Sequence, residues 1–327
     1  MCGRGALTLS GDRCRRIAGG HGGRTALRGS DRLRKKYNLG PMNYVPVVRT
    51  LEGSGQEAAL DREVCAMRWG LVPAFAKRAE DFDAFKGGSS TFNARVEGAE
   101  SSNLWRRLLD KRRCVVLFDG FYEWKAHGKT KTPMFIRNRD EYDGHTIPWR
   151  SKTSEDLQKV GEPDEKELDG PQHAPLFLAG LYDVWHQKGD VEETLESVTI
   201  LTMDPEHTIM EEVHDRMPVF LTPETAASWL DPSVPFSEII RPVLKMSQAH
   251  AQSQLLLYEV SPLVSNIRNE SPDCVLPKKK YDEKQLAKGI GRFFKPKPAD
   301  SDLKSKKRTL EDCEEQDKED VKVIRLE

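Results

Sequence analysis

Short apolar runs, separated by glycine, proline and polar residues, recur through the first 277 residues of the chain. Short runs rich in branched and aromatic side chains are typical of β-strands. They predict strands at residues 6–9, 45–48, 64–69, 112–118, 133–137, 176–185, 197–203 and 255–260. The run at 112–118 is almost continuously apolar, so we expect a strand buried on both faces. Pro46 places its strand near a sheet edge or a strand end.

Two segments carry the signals of helices instead. Thr222 followed by Pro223 predicts a capped helix at residues 223–230, and residues 238–246 predict another. Residues 140–173 are polar and without periodicity, which predicts a long surface insertion. Branched and aromatic residues become rare from residue 278 onwards, so residues 278–327 are predicted to form a disordered tail.

The net charge of the 327-residue chain is only −1, and it excludes no class of partner. The distribution of charge is more informative. Residues 11–36 contain 9 basic and 2 acidic side chains, which makes them a candidate phosphate-facing surface, unless they form a solvated loop. The tail has a basic part, residues 278–308, followed by an acidic part, residues 311–327.

The six cysteines show neither a C-x-x-C motif nor a regular spacing. This argues against a disulfide framework and against a zinc site, so we expect no metal and no cofactor. We find no apolar run long enough to span a bilayer and no signal peptide, and we expect no membrane contact. A reducing intracellular compartment fits these features.

The dipeptide Met1-Cys2 has a specific chemical meaning. Initiator methionine is commonly removed before a small residue, which would leave Cys2 with a free α-amine beside its thiol. Amine and thiol titrate near ~8 and ~8.5, so both nucleophiles are available around neutral pH. Together they convert an aldehyde into a Schiff base and then into a five-membered thiazolidine. A cysteine in a frayed terminus is the alternative interpretation.

Further candidates lie along the predicted strands. Asn93 and Arg95 are two residues apart and share a strand face, where one could orient a substrate and the other hold a phosphate. Glu123 lies between aromatic residues at a strand end, where desolvation favours a raised pKa and a role as general acid. His214 is a candidate acid or base, because histidine is the residue type whose unperturbed side chain changes its charge near neutral pH. Trp69 is either a core residue or a stacking surface for a base.

Six short motifs occur in order: CGR at 2–4, RWGLVP at 68–73, NAR at 93–95, DGFYEW at 119–124, AGLYDVW at 179–185 and HDRMP at 214–218. Together they resemble the SOS-response-associated peptidase family over residues 2–277. The resemblance implies a single α+β domain with a curved, barrel-like β-sheet and flanking helices. It also implies that the chain senses abasic sites in single-stranded DNA and forms a thiazolidine crosslink with them, which shields the lesion during replication-coupled repair.

The resemblance also assigns roles to residues. Cys2 would be the nucleophile, Asn93 would position it and the sugar, and Glu123 and His214 would act as acids and bases. Contacts to DNA would come from Arg4, Pro41, Trp69, Arg95 and Arg216. Weak lyase activity at abasic sites and removal of Met1 by the protein itself are further expectations. Val96 replaces the serine that usually follows the NAR motif in this family.

The tail adds three weaker signals. The segment 285–294 resembles the box that binds the replication sliding clamp, through Ile290, Phe293 and Phe294. The segment 321–324 resembles a SUMO-interacting motif, through Val321, Val323 and Ile324. Residues 304–308 resemble a nuclear localisation signal. We therefore expect a nuclear protein associated with chromatin or replication forks.

Two other functions stay open. One is a cysteine-dependent peptidase, acting on other peptide bonds or only on its own Met1, which would turn over a peptide bond. The other is a non-catalytic reader of modified cytosine in duplex DNA, for which Cys2 would be dispensable.

Overall fold

A computed structural model of the chain describes residues 3–18, 26–51, 62–83, 90–139, 174–187 and 193–293. Within these ranges the chain forms thirteen strands and four α-helices. The strands are β1 (Gly5–Leu7), β2 (Ala26–Arg28), β3 (Lys36–Leu39), β4 (Tyr44–Thr50), β5 (Arg62–Trp69), β6 (Asn93–Arg95), β7 (Arg113–Phe118), β8 (Gly120–His127), β9 (Thr130–Asn138), β10 (Leu176–His186), β11 (Thr194–Met203), β12 (Met217–Pro218) and β13 (Leu255–Glu259). The helices are α1 (Gly11–Ile17), α2 (Pro223–Leu230), α3 (Phe236–Ser253) and α4 (Lys278–Phe293).

Five strands close into a barrel in the order β4, β5, β11, β10 and β7, with β7 pairing back to β4. Closure depends on a short parallel contact in which Arg68 and Trp69 of β5 pair with Ser197 and Val198 of β11. Every residue of β7 is buried, as the apolar run predicted. The α+β class and the barrel-like sheet are therefore confirmed.

A second, five-stranded sheet has the order β13, β9, β8, β1 and β3. It continues directly from the barrel, because only Asp119 separates β7 from β8. Asp119 is buried at this junction. Its amide donates to the carbonyl oxygen of Ala6 at 3.0 Å, and its buried carboxylate accepts the amide of Thr8. Asp119 thus fixes the amino-terminal strand β1 to the junction of the two sheets.

Burial raises the pKa of Asp119 to about 6, although the hydrogen bond from Thr8 opposes the shift. An unfolded aspartate titrates near ~3.9, so between about pH 4 and pH 6 the folded state holds a proton that the unfolded state has lost. This group's contribution to stability is complete below that window and declines by about 3 kcal/mol as the pH rises through it. We expect the unfolding free energy of wild type, relative to Asp119→Asn, to fall by about that amount between pH 4 and pH 7. Urea unfolding of both proteins across this range measures it, and a pH-independent difference would contradict it.

Helix α2 has the predicted bounds, and its capping is confirmed by the Thr222 amide, which donates to Thr225 Oγ1 at 2.9 Å. Of the two positions predicted for Pro46, the structure shows the strand end and not the sheet edge, because Pro46 is the third residue of β4, which lies between β5 and β7. The missing N–H of Pro46 is tolerated there, since β7 pairs only with Val47 and Val48. None of the helices in the described ranges is long and apolar enough to cross a membrane.

The chain divides into two units, residues 1–281 and 282–327. The predicted disordered tail needs a correction at its beginning, because residues 278–293 form helix α4. Lysine, glutamine, leucine and alanine in this stretch favour a helix, although the stretch is too polar to build a core. Residues 294–327 and the predicted insertion at 140–173 lie outside the described residues.

Candidate active site and nucleic-acid interface

The amino-terminal strand leads towards Glu123. Strands β1 and β8 are antiparallel with Gly5 opposite Phe121, and the Tyr122 amide donates to the carbonyl oxygen of Arg4 at 2.9 Å. Continuing this register by one residue brings Gly3 to the level of Glu123. Cys2, the residue before Gly3, lies outside the described residues. The first described residue of the chain is thus level with a buried carboxylate.

Glu123 forms a pair with His214. The glutamate is only 3% exposed, and its Oε2 lies 3.7 Å from Nε2 of His214. These residues are far apart in sequence, and the long loop before the short strand β12 brings the histidine to β8. A buried carboxylate and a half-buried imidazole at this distance can exchange a proton after a small movement or through one water.

The other ring nitrogen of His214 also has partners. Nδ1 accepts the backbone amide of Arg216 at 3.1 Å and lies 2.7 Å from Oδ1 of Asp215. When Nδ1 accepts the amide, a neutral imidazole carries its proton on Nε2, on the side of Glu123. When the ring is protonated, Asp215 can accept from Nδ1. The imidazole is therefore accommodated in both protonation states, as a proton-transfer group requires.

Asn93 and Arg95 lie on β6, which runs parallel to β11 with Asn93 level with Ile200. Ala94 between them is buried, whereas Asn93 is half-buried and Arg95 exposed. The prediction that the two side chains share a face is confirmed. That Asn93 positions a substrate and that Arg95 contacts phosphate stay predictions.

Arg216 is committed to the protein itself. Its guanidinium donates to both carboxylate oxygens of Glu97, at 2.9 and 2.8 Å, and to the carbonyl oxygen of Thr202 at 2.7 Å. The side chain is 8% exposed. These bonds occupy the guanidinium N–H groups that a phosphate would need, and the contact of Arg216 with DNA stays a prediction. In this structure Arg216 connects the segment after β6 with β11 and the His214 loop.

Trp69 belongs to the core, because it is 1% exposed and lies edge-on to the rings of Phe92 and Phe118. The prediction of a stacking surface at Trp69 is therefore wrong. Its indole N–H donates to the carbonyl oxygen of Phe92 at 2.9 Å, which fixes the residue before Asn93. Trp69 thus stabilises, from within the core, the backbone next to the candidate site residue Asn93.

Pro41 is also buried, so the structure does not support its predicted role along the DNA path. It begins a tight turn in which Met42 has a φ of 70° and the Asn43 side chain donates to the carbonyl oxygen of Gly40 at 2.9 Å. The turn packs against Gly70, whose φ of 124° favours glycine.

Arg4 anchors the chain just after Cys2. Its guanidinium donates to Asn38 Oδ1 at 2.8 Å and to the carbonyl oxygen of Val264 at 2.9 Å, and it lies over the ring of Trp124. Burial lowers the pKa of Arg4. These contacts hold the amino-terminal segment beside β3 and β8. Phosphate binding by Arg4 stays a prediction.

The sequence interpretation missed Phe75. This side chain is 63% exposed, and the guanidinium of Arg107 lies over its ring, 5.1 Å from the centroid. Arg107 is held in turn by an ion pair with Asp183. Phe75 lies two residues after the RWGLVP motif, and the signal that could have found it is a large aromatic residue between two alanines in a proline-containing loop. Phe75 therefore presents an exposed aromatic ring, whereas the ring of Trp69 is buried.

The remaining sequence candidates are not tested. Ile290 and Phe293 lie on helix α4, whereas Phe294, Val321, Val323 and Ile324 fall outside the described residues. In the part of the chain that the structure describes, no group of three or more His, Cys, Asp or Glu side chains could hold a metal ion.

Comparison with known proteins gives consistent matches. The family model described as SOS response associated peptidase (SRAP) matches residues 1–267. The abasic site processing protein HMCES of Xenopus tropicalis is 32% identical over 286 residues, which is 84% of this chain and 78% of that protein. The abasic site processing protein YoqW of Bacillus subtilis is 30% identical over 241 residues, 73% of this chain and 84% of that protein.

The fold also matches solved structures. A protein from Bacteroides thetaiotaomicron superposes with a TM-score of 0.57 at 21% identity, covering 84% of this chain and 99% of the other. A protein from Bordetella bronchiseptica gives a TM-score of 0.53 at 20% identity, covering 80% and 100%. At these identities the likeness concerns the fold alone.

Proposed function

Because the chain belongs to the SOS response associated peptidase family, we propose that it processes abasic sites in DNA, the activity for which several of its relatives are named. We propose further that it does so in single-stranded DNA, through a covalent thiazolidine crosslink formed by Cys2 after removal of Met1. The observation that carries this proposal is the strand register, in which Gly5 lies opposite Phe121 and the Tyr122 amide donates to Arg4, so that the chain leads from Arg4 towards Glu123 of the Glu123–His214 pair. An aminothiol at Cys2, two residues before Arg4, would enter that site.

The chemistry balances without a cofactor. The open-chain sugar of an abasic site has an aldehyde at C1′. The Cys2 amine adds to this carbon and the adduct loses water, which gives a Schiff base. The thiol then adds to the same carbon, its proton passes to nitrogen, and a five-membered ring closes. One water leaves overall, and nothing is oxidised or reduced.

The Glu123–His214 pair suits the proton transfers. The abasic sugar is mostly a closed hemiacetal, so opening it requires an acid at the ring oxygen and a base at the C1′ hydroxyl. A carboxyl and an imidazole that face each other at 3.7 Å can supply both. Asn93 would orient the sugar, and the same proton donors would assist reopening of the thiazolidine.

A Schiff base at C1′ also acidifies the neighbouring carbon, so strand cleavage by β-elimination competes with ring closure. We therefore expect weak lyase activity, which the thiol suppresses by closing the ring. Removal of Met1 by the protein itself would use the same thiol on a peptide bond. Arg95 and Arg4 would contact phosphates of the DNA backbone. Such contacts contribute affinity that does not depend on the base sequence.

Phe75 would stack on a base that flanks the lesion. We expect Phe75→Ala to weaken the affinity for single-stranded DNA by roughly tenfold, since base–aromatic stacking contributes about 1–3 kcal/mol. Phe75→Trp should retain the affinity. Fluorescence anisotropy with labelled oligonucleotides measures both variants, and equal affinities of Phe75→Ala and wild type would contradict a stacking role.

The tail would recruit the protein to replication. A clamp would bind the segment with Ile290, Phe293 and Phe294, and SUMO would bind Val321, Val323 and Ile324. Both proposals fit a nuclear protein at chromatin or replication forks. Neither is required for the crosslinking chemistry.

The experiment that tests the crosslink is the intact mass of the protein after incubation with three single strands. One carries an abasic site, one carries the same site reduced to an alcohol, and one is undamaged. A DNA-sized adduct on the first strand alone, stable to denaturation and carried by protein without Met1, supports the proposal. If protein that has lost Met1 stays free with the abasic strand, the proposal is wrong, and peptidase and modified-cytosine assays take its place.

A further inference from the structure

A basic segment connects the exposed edges of the two sheets. Residues 28–36, between β2 and β3, contain five basic side chains and one acidic one. The first and last of the basic residues have acidic partners: Arg28 pairs with Glu196 at 2.7 Å and Lys36 with Glu270 at 3.5 Å. Arg32, Arg34 and Lys35 lie between them, and all three are exposed and bring positive charge to the surface.

Two tyrosines accompany these cations. The guanidinium of Arg32 lies 5.1 Å from the ring centroid of Tyr44 and 3.4 Å from its hydroxyl. The ammonium of Lys35 lies 5.8 Å from the ring of Tyr37. Both rings are half-buried. Cations alternating with partly exposed aromatic rings are the usual composition of surfaces that bind single-stranded nucleic acid.

The segment that carries this surface is connected through β3 to the amino-terminal segment of the candidate active site. Tyr37 and Asn38 lie on β3, which pairs with β1, and Asn38 Oδ1 accepts from Arg4. The turn that follows β3 is held by Asn43, the residue directly before Tyr44. One end of the path is therefore at the amino-terminal segment and the other at Arg32.

We propose that the Arg32 surface, formed by Arg32, Arg34, Lys35, Tyr37 and Tyr44, binds the backbone and bases of the DNA single strand on one side of the abasic site. The inference rests on the proposed function and names a second subsite for the same substrate. If the basic residues formed only a solvated surface segment, their presence would be explained. The contacts between the cations and the two tyrosines and the connection of the segment to β1 would not be expected.

The position of this surface predicts a dependence on DNA length. The four residues of β3 span about 13 Å, and Arg34 and Lys35 lie beyond the end of β3 that is away from Gly5, whereas Tyr44 follows the turn at its other end. A strand with only about two nucleotides on each side of the lesion is then too short to reach the cations of this surface. A DNA strand that is about eight nucleotides longer, on the side of the lesion that faces the Arg32 surface, should reach that surface.

The test compares charge-matched variants on three strands. Arg32→Glu/Arg34→Glu removes the cations of the surface, whereas Arg241→Glu/Lys245→Glu makes the same change of charge at exposed positions of helix α3. Both pairs are placed in a Cys2→Ala background, and every DNA strand in the binding assay carries the abasic site reduced to an alcohol, so that no Schiff base forms and anisotropy reports binding without a covalent step. The strands are a short one, one extended on the 5′ side and one extended on the 3′ side.

We expect Arg32→Glu/Arg34→Glu to bind one of the two extended strands about tenfold more weakly and the short strand almost unchanged. Its affinity for that extended strand should depend less on salt, by about 1.4 units in the slope of log K against log salt, since two phosphate contacts are lost. Arg32→Gln/Arg34→Gln, which removes the positive charges without adding negative ones, should lose an intermediate amount of affinity for that extended strand. Thermal unfolding of both double variants shows whether either has a folding defect. Arg241→Glu/Lys245→Glu should match the parent protein.

Equal binding of both extended strands by Arg32→Glu/Arg34→Glu and its charge-matched control would overturn the inference. So would an equal loss on the short strand, because it would indicate a general effect of charge. Crosslinking of the short strand by protein with Cys2 intact is measured in parallel. If it is absent, the proposed function is wrong, whereas its presence with unchanged binding of extended strands refutes the Arg32 surface alone.

Discussion

Cys2→Ser is expected to lose the denaturation-resistant crosslink, by at least about a hundredfold, while its amine still forms a Schiff base with the abasic aldehyde. Serine is small enough for Met1 to be removed, so the variant keeps a free α-amine. Its hydroxyl is not ionised near neutral pH and closes the ring only weakly and reversibly. The Schiff base therefore persists, and β-elimination from it becomes the main outcome.

Three measurements separate the steps. Denaturing electrophoresis without reductant reports the stable crosslink, which should disappear. Borohydride reduction traps the Schiff base, which should remain, and the fraction of incised DNA should rise above that of wild type. A protein acetylated at its α-amine is the control that should lose all three signals. If Cys2→Ser keeps a stable crosslink without reductant, the thiazolidine is not the product.

Much of the fold could be predicted because strand signals are local. The buried strand β7 and the helix α2 follow from runs of side chains that need no knowledge of distant partners. Whether Pro46 lies at a sheet edge or near a strand end could not be decided this way, because the barrel closes through a contact between β5 and β11, which are over a hundred residues apart in the chain. The order of strands decides which of them lie at an edge.

The candidate site illustrates the same limit. Sequence spacing alone brings Asn93 and Arg95 to one face, and the structure confirms it. The pairing of Glu123 with His214 depends on a loop whose course no local pattern determines. Trp69 and Phe75 lie on either side of one Gly and Pro break, and only the three-dimensional packing shows that Trp69 is buried and Phe75 exposed. Likewise, Arg216 has the residue type of a phosphate ligand, but its partner is Glu97.

Glu123→Gln is expected to lower the single-turnover rate constant of crosslinking by about 100- to 1000-fold, with little change in DNA affinity. Glutamine keeps the shape of the buried side chain but can neither donate nor accept the proton that passes to His214, 3.7 Å away. Rapid quenching at saturating abasic DNA measures the rate constant. Glu212→Gln is the matched control, because Glu212 lies in the same loop as His214, is exposed and pairs with Lys125 instead.

The substrate itself can locate the step that Glu123 serves. If its main work is to open the sugar ring, the defect of Glu123→Gln should shrink to within about tenfold on a strand with an acyclic aldehyde, which cannot form a hemiacetal. If the defect is equally large on both strands, Glu123 acts after ring opening, in Schiff-base formation or ring closure. A rate constant for Glu123→Gln that equals that of Glu212→Gln on both strands would remove Glu123 from the mechanism, because a buried carboxyl group that reacts at no step has only a structural role.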